Sequence, residues 1–438
     1  MKIIGIIAEY NPFHNGHAYQ IKKIKEELHA DFVVVAMSGN FVQRGTPAIA
    51  DKYTRTKMAL GCGADLVMEL PVLWATSSAE YFAMAGVTLF DKMRCVDGIC
   101  FGAETDDLAL LSMIAEVLVK EPILYRNALS SYLKEGLSFP VARSRALCDY
   151  FAASDAPSCK YAFETVSSIL NEPNNILAIE YLKAIKRRNS SMTPHLIMRE
   201  GAGYHEDKIL DTPSLTDIDS PPTASATAIR KFLGHISNEN ACQFTEVFTS
   251  AMPATALEIL KDYLSSDSLI QANDFSSILG YRLLTTDSDF LADIGDSTPD
   301  IANRLFKNRM SFSSFEQFCE LCKSKDVTYT RMSRVLLHFI LGITNQDYLF
   351  GKELDYIPYL RILGFRKDAS SLLKELKSYT NVPIISKLAD ASSYLDENVI
   401  KMLKADIFAA DLYEQICAYK CKKTPKSEYA QEIIRVSF

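Results

Sequence analysis

Two histidines stand three positions apart near the start of the chain, in the stretch AEYNPFHNGH at residues 8–17. Pro12 precedes His14 and fixes the turn, while Gly16 before His17 allows a close backbone approach. At a helix start, this spacing would point both rings the same way, beside free backbone N–H groups and the positive end of the helix dipole. The pattern predicts an anion site for phosphate. Histidines that merely satisfy buried groups are the alternative, which fits a lone histidine better than a pair.

The elements around this stretch are those of a parallel sheet. Short apolar runs without alternation, typical of strands buried on both faces, occupy residues 2–8, 31–37, 65–70 and 96–101. Helical patterns follow them, starting after His17, near Ala50 (through Met58), and at roughly 78 to 90. This alternation predicts a doubly wound α/β domain, whose ligands bind at the carboxyl ends of its strands. The histidine stretch follows the first strand and lies at that edge.

The rest of the chain favours helices. Helical periodicity covers about residues 106–188, one more strand is expected at 195–200, and a new helix starts near residue 225. We expect an α/β fold in which residues 1–235 form a Rossmann-like catalytic domain with a helical insertion. Residues 236–438, almost wholly helical in pattern, should form a mainly α-helical second domain.

Composition excludes several classes of protein. With 438 residues, 48% of them hydrophobic, and a net charge of −7, the chain has the profile of a soluble globular protein of two or three domains. The apolar start at residues 3–7 is too short for a signal peptide, and the run at 335–343 is too short to span a bilayer. We therefore expect a cytoplasmic protein.

The chain contains ten cysteines, which we interpret as reduced thiols. Cys319 with Cys322, and Cys417 with Cys421, offer the four thiolates of a structural zinc site as an alternative. Both pairs lie in helical patterns without the glycine-rich turns that present paired thiolates, so no metal ligand is predicted.

The HNGH stretch resembles the HxGH signature of the nucleotidyltransferase superfamily, whose members bind ATP and transfer its adenylyl group. The resemblance implies that both histidines donate hydrogen bonds to the triphosphate and stabilise the transition state, without binding metal. A second signature of that superfamily, a Ser/Thr-rich turn ending in arginine, matches SATAIR at residues 225–230. Plain helix N-caps are the alternative for its Ser and Thr. The expected catalytic residues are His14, His17, Ser225, Thr227 and Arg230.

A finer resemblance extends over nearly the whole chain. EYNPFHNGH (9–17), SGNFVQRGTPAIADKYTRTKMAL (38–60), FGAETDD (101–107), PNNILAIEYLKAIK (173–186), REGAGYH (199–205) and SATAIR look like the bacterial tRNA(Met) cytidine acetate ligase family, as do residues 329–343 and 359–365. Ala178 departs from the glycine expected after PNNIL.

This resemblance implies an enzyme that activates acetate with ATP, forming acetyl-adenylate and pyrophosphate. The acetyl group then passes to N4 of the wobble cytidine of elongator tRNA(Met), giving N4-acetylcytidine. Mg²⁺ is expected with the triphosphate. The implied ATP-binding residues are Ile7, Ala8, Glu9, Tyr10, Asn11, Pro12, Phe13, His14, Asn15, Gly16, His17, Ala18, Tyr19, Gln20, Gly102, Asn174 and Arg199. From the sequence alone, Asn174 could equally be a helix N-cap.

Gln43 and Arg44 are our candidates for the acetate pocket, because the loop after strand two supplies backbone N–H groups and a cation. A solvated turn is the alternative. Basic residues for tRNA are sought in clusters, each of which could also be a solvated helix face: Arg143 and Arg145; Lys183, Lys186, Arg187 and Arg188; Arg331 and Arg334; and Arg361, Arg366 and Lys367.

Two other functions stay open at this point. One is an adenylyltransferase for a small phosphorylated metabolite, although such enzymes need far fewer residues. The other is a non-catalytic RNA-binding protein. We expect acetate and tRNA as partners, no membrane or DNA partner, and an oligomeric state that the sequence leaves undetermined.

Overall fold

The computed structural model describes residues 1–153, 163–199, 226–234 and 248–437. Its strands are β1 (Ile3–Ala8), β2 (Phe32–Ser38), β3 (Phe41–Val42), β4 (Thr46–Pro47), β5 (Leu66–Leu70), β6 (Gly98–Ala103), β7 (Thr193–Met198), β8 (Leu360–Arg366), β9 (Ile384–Ile385) and β10 (Ile434–Val436).

Eight of these strands form one mixed sheet in the order β10-β8-β5-β2-β1-β6-β7, with β9 paired to β8. From β5 through β7 all neighbours are parallel, and β1 lies between β2 and β6. β8 runs antiparallel to β5, and β10 runs parallel to β8. β3 and β4 form a separate antiparallel hairpin in the connection after β2. The carboxyl ends of β1, β2 and β6 therefore meet at one edge of the sheet.

Ten α-helices of the described part of the structure lie before residue 235. They are α1 (Asn15–Glu26), α2 (Lys52–Gly61), α3 (Val72–Ala75), α4 (Ala79–Met93), α5 (Leu108–Lys120), α6 (Ile123–Lys134), α7 (Phe139–Ala153), α8 (Phe163–Asn171), α9 (Pro173–Arg187) and α10 (Ala226–Gly234).

The remaining helices follow residue 253. They are α11 (Ala254–Ser266), α12 (Ser276–Thr285), α13 (Ser288–Asp293), α14 (Pro299–Asn308), α15 (Phe315–Cys322), α16 (Tyr329–Leu341), α17 (Asn345–Glu353), α18 (Ser370–Tyr379), α19 (Leu388–Ala391) and α20 (Glu397–Cys421).

The two faces of the sheet are buried in separate hydrophobic clusters. Ile4 and Val35 belong to the cluster that contains α1, α2, α10 and α11. Ile3 and Val34 belong to a larger cluster that contains α4, α5, α9 and most of the C-terminal helices. Because neighbouring residues of a strand point to opposite faces, strands covered on both sides must be apolar throughout. This burial explains the unbroken apolar runs of the sequence.

The expected α/β architecture is confirmed, including the helical stretch that interrupts it after β6. The C-terminal part is mainly helical, as predicted, but it also adds β8, β9 and β10 to the sheet, which the sequence reading did not predict. β9 and β10 have only two and three residues, and β8, although it has seven, is embedded among helical patterns, so periodicity alone did not reveal them. The domain boundary predicted between residues 235 and 236 lies outside the described residues, and the division into two domains stays a prediction.

Within the described part of the chain, no helix combines the length and apolar character needed to cross a bilayer.

Candidate active site

His14 and His17 form the entrance to α1, directly after the first strand. His14 is the N-cap residue, and its Nδ1 accepts the N–H of Gly16 at 3.0 Å. His17 returns the interaction, because its Nδ1 accepts the N–H of His14 at 3.2 Å. This reciprocal arrangement is a capping box in which imidazoles replace the usual hydroxyl and carboxyl groups. The helix start therefore fixes both rings.

These bonds decide which ring nitrogens carry hydrogen. A ring nitrogen that accepts a backbone N–H must be unprotonated, so the proton of each neutral ring lies on Nε2. The rings stack with centroids 3.8 Å apart and planes inclined by 28°. Each ring thus offers one Nε2–H donor. The free backbone N–H groups expected here are partly used, since those of Gly16 and His14 are bound to the rings.

Both histidines are neutral near pH 7. Burial, assisted by the charges of Arg199 and Arg230, lowers the pKa of His14 from 6.5 to about 3. Burial and the neighbouring His14 hold the pKa of His17 well below its ordinary value. The imidazoles therefore act as hydrogen-bond donors without a net charge, and any positive charge must come from the nearby arginines.

The loop between β1 and α1 is held in shape by its own side chains. Tyr10 has a φ of 48°, and the Asn11–Pro12 peptide bond is cis. Asn11 Oδ1 accepts the N–H of Ile49 at 2.9 Å, which joins this loop to the connection after β2. The Tyr10 ring meets that of His17 edge-on at 4.7 Å between centroids. These contacts fix the direction in which the histidines face.

Arg230 reaches the same loop from α10. One guanidinium nitrogen donates to the carbonyl oxygen of Asn11 at 2.8 Å, and another donates to Thr227 Oγ1 at 3.0 Å. Thr227 lies one turn before Arg230, so the hydroxyl orients the guanidinium. The structure therefore brings Arg230, oriented by Thr227, to the loop that precedes the histidines. Ser225, the third, lies outside the described residues.

Gly102, Asn174 and Arg199 gather at the end of β6. A Cβ on Gly102 would lie 3.1 Å from Arg199 Cγ, so glycine leaves room for the arginine side chain. Asn174 donates from Nδ2 to Glu104 Oε1 at 2.5 Å. The N-cap of α9 is Glu172, with Pro173 in the first turn, so the N-cap interpretation of Asn174 is wrong.

The other residues implied for ATP are placed by β1 and α1. Ile7 and Ala8 end the strand, and Glu9 begins the loop. Asn15 Nδ2 donates to the carbonyl oxygen of Ser250 at 2.8 Å, and Gln20 Nε2 donates to that of Cys100 at 3.1 Å. The remaining members of this set line the loop or the first turns of α1: Tyr10, Asn11, Pro12, Phe13, Gly16, Ala18 and Tyr19. Their contacts with ATP stay predictions.

The connection after β2 faces the histidine loop. The N–H of Gln43 donates to Glu9 Oε1 at 2.9 Å. Burial lowers the pKa of Arg44, while the charge of Glu9 raises it, so the two side chains interact electrostatically. The carbonyl oxygen of Gly45 accepts the Ser333 hydroxyl at 2.9 Å, which seats the hairpin on α16. The two acetate-pocket candidates therefore lie beside the loop between β1 and α1, in a hairpin that packs on α16.

A buried ion cluster lies next to the connection after β2. Sequence reasoning missed this cluster. Lys52 Nζ lies 2.6 Å from Glu69 Oε1 and 2.6 Å from Glu428 Oε1. Arg361 Nη1 lies 2.8 Å from Glu69 Oε2, and its second nitrogen also binds Glu428. The four charges come from α2, β5, β8 and the segment before β10. Their spacing in the chain carries no local signal.

The basic residues considered for tRNA mostly have protein partners. Arg188 forms ion pairs with Asp91 at 2.6 Å and Asp355 at 2.9 Å, and Arg187 pairs with Glu80. The other paired members of these clusters bind as follows: Lys183 with Glu180, Lys186 with Glu116, Arg334 with Asp296, Arg361 with Glu69 and Glu428, and Arg366 with Asp368. These ion pairs favour the alternative interpretation of structural or solvated helix faces.

The cysteines considered for zinc lie on two helices. Cys417 and Cys421 of α20 approach Asp267, with their ligand atoms within 4.8 Å of one another. Burial raises the pKa of Cys417 to about 12 and that of Cys322, on α15, to about 11. Cys417 donates to Asp267 Oδ1 at 3.3 Å, and Cys421 donates to Ser268 Oγ at 3.2 Å. Cys417 and Cys421 therefore act as hydrogen-bond donors to neighbouring oxygen atoms.

Comparison with known proteins agrees with this geometry. A family model described as HIGH Nucleotidyl Transferase matches residues 1–428. A tRNA(Met) cytidine acetate ligase of Clostridium perfringens is 40% identical over 413 residues, covering 94% of this chain and 95% of the relative. Its counterpart in Acetivibrio thermocellus is 36% identical over 435 residues, covering 99% and 100%.

Solved structures give the same result for the fold. The crystal structure of Thermotoga maritima TmcAL bound with alpha-thio ATP is similar over 100% of both chains, with a TM-score of 0.86 and 27% sequence identity. The apo form of that protein has the same TM-score, 0.86. The chain therefore belongs to the tRNA(Met) cytidine acetate ligase family, within the HIGH nucleotidyltransferases.

Proposed function

We propose that this enzyme activates acetate with ATP and transfers the acetyl group to N4 of the wobble cytidine of elongator tRNA(Met). The observation that carries the proposal is the pair of stacked imidazoles at the start of α1, with Arg230 bound to the Asn11 carbonyl oxygen of the loop that precedes them. We expect the enzyme in the cytoplasm, where this tRNA acts.

In the first step, an acetate oxygen attacks the α-phosphorus of ATP, and pyrophosphate leaves. Two Nε2–H donors at the start of a helix suit the charge that builds up on the phosphate oxygens, because they need little rearrangement as the reaction proceeds. Arg230 supplies a full positive charge and is oriented by Thr227. Arg199, beside Gly102, is the second cation in reach of the loop.

We assign acetate to the connection after β2, with Gln43 and Arg44 as its partners. Both residues lie close to Glu9, in the loop that we propose for ATP, so acetate bound there would lie next to the nucleotide. To react, acetate must approach the α-phosphorus from the side opposite the leaving pyrophosphate. In the second step, N4 of cytidine attacks the acetyl carbon, AMP leaves, and one proton is lost from N4. The base must leave its stack to reach this edge of the sheet.

Mg²⁺ would bind chiefly to the triphosphate. Among the described residues, the one cluster with metal-ligand spacing is Asp267, Cys417 and Cys421, a donor set of thiols that does not suit a hard cation. In the loop between β1 and α1, Glu9 supplies a carboxylate, and one of its oxygens already accepts the Gln43 N–H. Phosphate oxygens and water therefore complete the coordination that we expect.

Exchange of labelled pyrophosphate into ATP tests the proposal. Exchange that depends on acetate, followed by acetylcytidine formation when tRNA is added, is the expected result. Exchange that requires a phosphorylated metabolite instead of acetate would support the smaller adenylyltransferase, and tRNA binding without exchange under either condition would support a non-catalytic RNA-binding protein.

A further inference from the structure

Arg55, a residue of α2, lies beneath two loops of the proposed active site. The nucleotide loop is residues 9–14, between β1 and α1, and the acceptor loop is residues 39–51, between β2 and α2. The Arg55 side chain is fully buried, with 0% of its surface exposed. Sequence reasoning assigned it only to the second helix.

The guanidinium of Arg55 binds carbonyl oxygens from both loops. Nη1 donates to Glu9 of the nucleotide loop at 2.6 Å and to Ser38, the last residue of β2, at 3.1 Å. Nη2 donates to Gly39 at the start of the acceptor loop, and Nε donates to Ala50 near its end at 3.0 Å. One planar group therefore joins the ends of two neighbouring strands and both ends of the acceptor loop.

Burying a charged guanidinium costs free energy, which hydrogen bonds to neutral groups offset only in part. Among the described residues, the hydrogen-bond partners of Arg55 are neutral carbonyl groups, whereas Arg361, a buried arginine of β8, is paired with two carboxylates. Replacement of buried ionic groups by apolar residues is often neutral or stabilising for a fold. The arrangement of four carbonyls around one fork instead fixes a relative position that an apolar side chain cannot specify.

We propose that Arg55 is a positioning residue that holds the acceptor loop in register with the nucleotide loop. The inference rests on the proposed function. ATP would lie on one loop and acetate on the other, so the distance from acetate oxygen to α-phosphorus depends on how the loops are joined. The Glu9–Gln43 and Asn11–Ile49 hydrogen bonds also link the two loops, but each joins a side chain of one loop to a single backbone N–H of the other. Arg55 joins the backbones.

The experiment compares Arg55→Lys and Arg55→Met with Arg304→Lys, at a temperature well below the unfolding midpoint of each variant. A lysine ammonium retains the charge but loses the planar fork. Arg304 is a matched control, because it also donates to a backbone carbonyl, that of Cys322 at 2.9 Å, and neither residue belongs to either loop. Acetate-dependent pyrophosphate exchange, AMP release and acetylcytidine formation are each measured per folded molecule.

For Arg55→Lys we expect the KM for acetate to rise and acetylcytidine formation to fall about 10-fold to 100-fold, as misplacement of reacting groups by about 1 Å does. The ratio of AMP released to acetylcytidine formed should rise at least about threefold, because a displaced acceptor loop exposes the adenylate to water. Arg304→Lys should leave all three quantities unchanged.

If Arg55→Lys keeps the wild-type KM for acetate and the wild-type product ratio, Arg55 merely supports the fold and the inference is overturned. This outcome is judged from Arg55→Lys alone, so it holds even if Arg55→Met does not fold. A wild-type enzyme that makes no acetylcytidine would instead contradict the proposed function itself.

Discussion

The side chain of His17 accepts the backbone N–H of His14 at 3.2 Å, so the second histidine of the HNGH motif helps to build the helix start that presents the first. The two residues are therefore not independent ligands that happen to be close. The same bond also fixes the proton of His17 on Nε2. A substitution at either position consequently affects both the donor and its support.

His17→Ala should reduce acetate-dependent pyrophosphate exchange by about 100-fold or more, because one transition-state hydrogen-bond donor is lost. Affinity for tRNA, measured by filter binding, should be nearly unchanged. His17→Asn separates the two roles, since an amide oxygen can accept the His14 N–H but places no donor at the Nε2 position. His29→Asn, at an exposed residue with a φ of 50°, is the control. Equal losses of exchange and tRNA affinity would show that His17 is structural.

Folding stability should fall as the pH drops from about 6.5 toward 3. The pKa of His14 is lowered from 6.5 to about 3 in the folded protein, so between these values the unfolded chain binds the extra proton. The free energy of unfolding then decreases by up to about 1.4 kcal/mol per pH unit for this residue. Urea denaturation between pH 5 and 7.5 measures the slope. It should be smaller in His14→Gln, and an equal slope would assign the effect to other groups.

Glu428→Gln should destabilise the protein by about 3–5 kcal/mol, because it leaves the buried charges of Lys52 and Arg361 without one of their partners. Although burial would raise it, the pKa of Glu428 is held at about 2 by these two cations. Glu432→Gln, at an exposed neighbour, should change the free energy of unfolding by less than about 0.5 kcal/mol. Similar urea midpoints for both variants would show that the cluster contributes little.

Neutralising Arg187 should leave the salt dependence of tRNA binding unchanged, because its guanidinium is already paired with Glu80. A residue that contacts phosphate would lower the slope of log K against log salt by about 1 when removed. The measurement compares Arg187→Gln with the wild-type protein from 50 to 300 mM salt, with Glu80→Gln as the matched variant. If the slope drops by about 1 in Arg187→Gln, the end of α9 contacts tRNA phosphate and the prediction is wrong.

The parts of the site that are local in sequence could be predicted, and the parts assembled from distant segments could not. The HNGH motif predicted a helix start after a buried strand, and the structure places both rings there. The use of the rings as capping groups was not predicted, because imidazoles are rare in that role. The contacts of Arg55 depend on where β1 and β2 end in space, and α2 alone carries no sign of them.

The same limit applies to the sheet. The first long strands of the sheet, β1, β2, β5 and β6, alternate with helices along the chain. The sequence pattern therefore predicted them. β8 pairs with β5 across roughly 290 residues of chain, and its neighbours are helices. Apolar periodicity describes an element and its burial, but it does not specify which distant strand an element joins.

The antiparallel pairing of β8 with β5 has a consequence for synthesis on the ribosome. The edge of β5 emerges early, but the strand that covers it is translated roughly 290 residues later. During that interval the nascent chain exposes an apolar strand edge of the kind that invites mispairing between molecules. Chaperone occupancy and pausing during translation should therefore matter more for this protein than the regular order of its first strands suggests.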